Sequence, residues 1–220
     1  MKAFILGLFL ASIYSCTGVQ GIHSPATEII TKENILFGSP ALTKDGLLNL
    51  LIEIPAGTQQ KWEAMKSGKG LKWDRKDGEL RIINYLPYPG NYGMVPRTLL
   101  PYSDGGDGDP LDVLLLGRGV QRASIVAVKP IGVLRLLDDN QQDDKIIAVP
   151  LTGPLSNIDS LVELNERYPG AATIIETWFL NYKGPGRMKS KGYDDVKTAR
   201  KMIDIASKAF ETAYPNSQAF

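Results

Sequence analysis

Between Leu47 and Val149 the chain breaks each apolar segment after a few residues, and this rhythm limits the fold more than any other feature. Leu47–Ile54, Arg81–Tyr85, Leu111–Leu116, Ser124–Val133 and Ile146–Val149 are rich in Val, Ile and Leu and are separated by Gly, Pro and Asp clusters. Strands need only about four to eight residues, whereas helices need longer periodic stretches. Leu47–Ile54 is almost continuously apolar and stops at Pro55, so it reads as a buried strand. Short strands at this density point to a barrel or a strongly curved sheet.

Helical spacing appears only late. Asn157–Arg167 is a short candidate ended by Pro169-Gly170. Ile174, Ile175, Trp178, Phe179 and Tyr182 recur at helical spacing within 171–182. A last helix starts at Asp194 or Asp195, acids suited to a helix N-terminus, and Pro215 ends it. Its apolar stripe is Val196, Ala199, Ile203, Ala206, Phe210 and Ala213. The coarse expectation is one β-rich domain with a helical C-terminal part.

The N-terminus reads differently. Lys2 precedes an apolar run from Ala3 to Ile13, a pattern of secretory signals and too short for a spanning helix, which needs about 20 apolar residues. Two ends compete. Val19-Gln20-Gly21 offers a cleavage site, and Ile13-Tyr14-Ser15-Cys16 is a loose lipobox in which Cys16 would carry a lipid anchor. Residues 1–21 are thus expected to be a signal peptide, cut near Ser15/Cys16 or Gly21, with 22–220 a single catalytic domain. The expected location is the periplasm or cell envelope.

Composition excludes whole classes of function. With 43% hydrophobic and 22% charged residues the chain is neither disordered nor a polytopic membrane protein. The net charge of +1 gives no reason to expect nucleic acid. Cys16 is the only cysteine and His23 the only histidine. A disulfide framework and a cysteine-rich zinc site are therefore excluded, and a Ser-His-Asp triad survives only if His23 serves.

The most unusual segment is Asp104-Gly105-Gly106-Asp107-Gly108-Asp109-Pro110-Leu111-Asp112, which feeds directly into an apolar strand. Like charges this close raise one another's pKa unless a cation neutralises them. Oxygen-only ligands favour a hard cation such as magnesium, manganese or calcium. The spacing is not that of an EF-hand loop, and it does not repeat as calcium β-rolls do. Asp138, Asp139, Asp143 and Asp144 form a second acidic cluster: by itself a hydrophilic hairpin loop, beside the first the completion of a multi-metal site. Glu53 interrupts an apolar strand, and an unpaired buried charge is costly. Cations sit beside aromatics at Lys61-Trp62, Trp73 with Arg75, and Tyr182-Lys183. Carboxylates on one wall with Lys, Arg and Tyr on the other suit a phosphoryl substrate.

Asp107-Gly108-Asp109-Pro110-Leu111-Asp112 resembles the signature of the family I soluble inorganic pyrophosphatases. Ile52-Glu53-Ile54-Pro55, Lys61-Trp62-Glu63, Trp73-Asp74-Arg75, Tyr88-Pro89, Asn91-Tyr92-Gly93, Lys145 before Ala148-Val149-Pro150, and Asn181-Tyr182-Lys183 resemble its other landmarks, in the same order. The resemblance implies an α+β, predominantly β fold: a compact closed β-barrel flanked by a few helices, including the C-terminal one. It implies hydrolysis of pyrophosphate with several magnesium ions, manganese being an alternative. It places Asp107, Asp112 and Asp143 on a tight metal pair, Asp138 on a further metal and Glu53 on a peripheral metal contact. Asp109 matches the proton acceptor. Lys61, Arg75, Tyr92, Tyr182 and Lys183 match phosphate-holding groups, with Lys145 and Tyr88 in support. A homo-oligomer, hexameric in bacterial relatives, is implied as well. The export signal departs from a mostly intracellular family, as does the longer Asp104-Gly105-Gly106 loop. Two competing functions are an exported calcium- or phosphate-binding module without turnover and a broader phosphomonoesterase.

Overall fold

The computed structural model describes residues 26–102, 106 and 108–217; the expected export segment with Cys16, as well as His23 and Asp107, lies outside the described residues. The main sheet is built from β2 (Leu48–Ile54), β7 (Asn91–Met94), β8 (Asp112–Leu115), β9 (Ile125–Asp138), β10 (Gln141–Gln142), β11 (Lys145–Pro150) and β12 (Met188–Asp194). Its order is β10-β9-β11-β8-β7-β2; β12 pairs with β9, and β2 also pairs with the start of β9. Among the described strands only β8 and β11 run parallel. A smaller sheet joins β1 (Glu28–Ile30), β4 (Gly70–Trp73) and β3 (Trp62–Ala64). A two-stranded ribbon pairs β5 (Arg75–Lys76) with β6 (Glu79–Leu80).

Side-chain alternation divides the sheet's two faces. Leu48, Leu50 and Ile52 lie in one core with Val113, Leu115, Val133 and Ile146. Leu51 and Ile54 lie in the other, with Trp62, Leu114, Ile147, Trp178 and Phe179. Such period-two sorting follows from the pleat. Helix α3 (Val196–Ala213) lays Ala199, Ile203 and Ala206 onto the first core, while its buried Phe210 packs against Phe37 and Tyr214. Asp195 caps α3 by accepting the Thr198 N–H at 2.8 Å, which explains its start. Helices α1 (Leu161–Arg167) and α2 (Ala171–Asn181) close the second core. Among the described residues, no helix is long and apolar enough to cross a membrane.

Two expectations need correction, and one strand has no sequence signal of its own. Arg81–Tyr85 is no strand and contributes only an isolated Gln60–Ile82 bridge. The hairpin lies just before it, where Asp77 and Gly78 both take positive φ, the geometry a two-residue turn requires. Helix α1 begins four residues later than Asn157. The Ser160 hydroxyl accepts the Glu163 N–H, and the Glu163 carboxylate accepts the Asp159 N–H, so these reciprocal bonds set the start. Finally β12, rich in lysine and glycine, carries no apolar alternation and was not anticipated; pairing with β9 makes it a strand.

Candidate active site

Parallel pairing of β8 with β11 brings the acidic ends of two distant segments together. Asp112 opens β8, and Leu111 just before it is pinned where its N–H donates to the Thr98 hydroxyl at 3.0 Å. Lys145 opens β11 with its ammonium almost sealed from solvent, at 2% side-chain exposure. That ammonium lies 2.6 Å from Asp112 Oδ2 and also donates to Asp143 Oδ1. One buried cation therefore serves two carboxylates. Burial pushes the Asp143 carboxyl up, Lys145 opposes that shift and Asp112 adds to it. Asp138, at the end of β9, accepts from Lys183 through Oδ2, while its buried Oδ1 has no hydrogen-bond partner among the described residues.

Glu53 enters from β2 at a bulge. The β2–β7 register shifts between Ile52 and Ile54, and the extra residue, Glu53, accepts the Ala64 N–H at 2.6 Å. Burial pushes its carboxyl up to about 7; Lys61 works against that shift and Asp112 reinforces it.

Cations and phenols stand close to these carboxylates. Trp178 links the aromatic groups: Tyr182 stacks on it at 4.7 Å, and Tyr88 meets both Trp178 at 4.5 Å and Tyr92 at 5.5 Å. Burial, with Asp112 and Asp143 close by, holds the Tyr92 phenol well above the ordinary value. Burial raises Tyr182 too, with contributions from Tyr88, Asp143 and Asp138. Both phenols thus remain hydrogen-bond donors. Burial opposes the charge of Lys61, yet Tyr88, Glu53, Glu63 and Asp112 hold its pKa above the ordinary lysine value. Arg81 is oriented by Asp74, whose Oδ2 accepts from Nη1 at 3.0 Å.

Most of these groups line one cavity of about 580 Å³. Of the residues expected at the site, Glu53, Lys61, Tyr92, Asp109, Asp112, Asp138, Asp143, Tyr182 and Lys183 line it. Lys145 and Tyr88 lie behind its wall, one beneath the carboxylates and the other within the aromatic stack. Asp107 lies outside the described residues. Arg75 is not brought to the cavity: it is exposed on the β5–β6 ribbon and donates to the Gly78 carbonyl at 2.7 Å. Arg81 lines the cavity instead. The Asp77-Gly78 turn was the available signal, since a hairpin there folds Arg81 back onto Asp74 and aims it inward. Among the described residues, no three acidic side chains are gathered into one cation cage.

Comparison with known proteins gives a consistent result. Residues 50–211 match the family model described as inorganic pyrophosphatase. An inorganic pyrophosphatase from Nostoc sp. is 32% identical over 175 residues, spanning 78% of this chain and 96% of the relative. The solved inorganic pyrophosphatase of Helicobacter pylori superposes with a TM-score of 0.65 at 31% identity, covering 75% of this chain and 94% of that one. That of Schistosoma japonicum superposes with a TM-score of 0.79, covering 84% and 76%; at 24% identity this is a likeness of fold.

Proposed function

The chain belongs to the inorganic pyrophosphatase family, and from that premise we propose how its cavity divides the work. It is an inorganic diphosphatase, hydrolysing pyrophosphate to two orthophosphates. The observation that carries the division of labour is that Asp112, Asp138 and Asp143 line a single cavity together with Lys61, Arg81 and Lys183.

The acidic wall fits hard divalent cations. Its donors are all carboxylate oxygens, one Asp138 oxygen has no hydrogen-bond partner among the described residues, and Asp112 and Asp143 share one ammonium between them. Asp112, Asp143 and Asp138 would hold them, with Glu53 at the periphery and Asp107 joining by sequence resemblance. Magnesium is the favoured ion and manganese the alternative. When bound, such cations neutralise phosphate oxygens and make a water acidic enough to react near neutral pH. Asp109 takes the proton from the attacking water. Lys61, Arg81 and Lys183 hold the substrate's phosphate oxygens, and their fixed charges offset the negative charge that grows on the leaving phosphate. Tyr92 and Tyr182 stay protonated and donate to the same oxygens.

The closed barrel belongs to this reading, and its support is that β2 pairs with both β7 and β9. Export by the N-terminal segment, a lipid on Cys16 and a homo-oligomeric state belong to it as well.

Phosphate release from pyrophosphate and from a simple phosphomonoester, measured with magnesium, with manganese and with chelator, tests the reading. Release from pyrophosphate alone, abolished by chelator, is expected. Full activity in chelator would overturn the metal assignment, and equal rates on both substrates would overturn the specificity.

A further inference from the structure

Asp144 is buried beside the carboxylates of the site and lines the same cavity. We infer that Asp144, held by Arg135, is a positioning residue that sets the direction of Asp143; this rests on the role proposed for Asp143.

The hydrogen bonds carry the argument. Asp144 is 7% exposed, and both its oxygens are engaged. Oδ1 accepts the Leu136 N–H at 3.0 Å, while Oδ2 accepts from Gln142 Nε2 at 2.7 Å and lies 2.8 Å from Arg135 Nε. Asp144 is therefore no spare ligand. Register runs unbroken through this region, with Gln142 opposite Leu137 and Lys145 opposite Leu134. Yet the ladder bond is diverted at Asp143. Its N–H donates to the Leu136 carbonyl at 3.0 Å, but the Leu136 N–H goes to the Asp144 carboxylate. In an ordinary antiparallel pair that N–H would return to the Asp143 carbonyl. The Asp143 peptide is thus released on one side from the ladder, and the Asp144 side chain becomes the local anchor.

Arg135 meets Asp144 as an ion pair and extends the anchor through Nη1, which donates to Asp194 Oδ2 at 2.9 Å. Asp194 ends β12, immediately before the Asp195 cap of α3. The residue just before β11, the C-terminal part of β9 and the end of β12 are tied together at one point beside the carboxylates. Asp144 is buried and Arg135 half-buried; such an ion pair is weak evidence for stability, and its better-attested use is to specify one geometry. The geometry within reach here is that of Asp143.

Asp144→Asn keeps an acceptor for Leu136 but loses the charge facing Arg135; Arg135→Gln removes the other half of the pair. Magnesium affinity by calorimetry, Leu136 amide exchange and phosphate release are measured in both, with Asp143→Asn alongside. Loss of a group that orients a metal ligand typically weakens metal binding or turnover about 10- to 100-fold, and each variant is expected to do so. Leu136 exchange should quicken in Arg135→Gln. The charge control lies in that variant, since removing a positive charge would by field alone tighten magnesium binding. Tighter binding there, or wild-type magnesium affinity and turnover in Asp144→Asn, would overturn the inference while leaving the role of Asp143 standing. Wild-type behaviour of Asp143→Asn would instead overturn that role, and the inference with it.

Discussion

At the scale of single residues, one buried ammonium organises the acidic wall. Lys145 reaches Asp112, 33 positions earlier, and Asp143, two positions earlier, so two carboxylates tolerate proximity around one charge. Asp109, on the loop before β8, lines the same cavity. Asp109→Asn keeps size but cannot take a proton near neutral pH, so turnover should fall about 10²–10⁴-fold, the usual share of general-base catalysis. Magnesium binding should weaken far less than in Asp112→Asn. Calorimetry paired with phosphate-release rates checks both, and equal metal loss in the two variants would remove the distinction. The arginines give a second comparison. Arg81→Ala should lower kcat/KM roughly tenfold to a hundredfold, the effect of losing about 1.5–3 kcal/mol of charge-assisted bonding. Arg75→Ala should leave it within about twofold, because Arg75 bonds only its own ribbon among the contacts described. The reverse ranking would return the substrate role to Arg75.

At the scale of elements, the β2 bulge turns a strand residue into a site residue. Ile52 pairs with Gly93 and Ile54 with Tyr92, which leaves Glu53 over and directs it to Ala64. Gly93 makes the close approach possible, since a Cβ there would stand 1.8 Å from the Leu51 carbonyl oxygen. The bulge also stores a pH dependence. Burial holds the Glu53 carboxyl at about 7, above the ordinary 4.5, so the folded chain binds this proton more tightly than the unfolded chain. Its contribution to stability is present in full below about 4.5 and is lost as pH rises through about 7. A gap of that size corresponds to at most on the order of 3 kcal/mol. Glu53→Gln, which keeps the acceptor for Ala64, should therefore raise the thermal midpoint in chelator at pH 8 by several degrees, with the gain vanishing near pH 4. A gain of equal size at both pH values would show that packing, and not ionisation, is responsible.

At the scale of the whole molecule, the described residues form two cores on either side of one sheet, and the cavity opens at the acidic strand ends. The expected export segment can be tested by fractionation. Mature chains should begin at or after Cys16 and be recovered from the envelope or periplasm, whereas unprocessed Met1 chains confined to the cytosol would end that idea. Cys16→Ser should release the protein from membranes, and unchanged membrane association would end the anchor.

By itself the sequence determined the elements whose signals are local. The α3 stripe, the buried strand of Leu48–Ile54 and the acidic loop before β8 are legible because 3.6-residue and two-residue periods, caps and turn residues act within one segment. Most of the cavity was legible as well, since Asp112, Asp138, Asp143, Lys61, Tyr92, Tyr182 and Lys183 are strong chemical choices in their places. Only the tertiary structure decided which of two arginines faces the cavity, that Lys145 is enclosed by carboxylates, and that Asp144 anchors a strand. A side chain's direction depends on register and turn geometry, and these are set by hydrogen bonds between segments far apart in the chain.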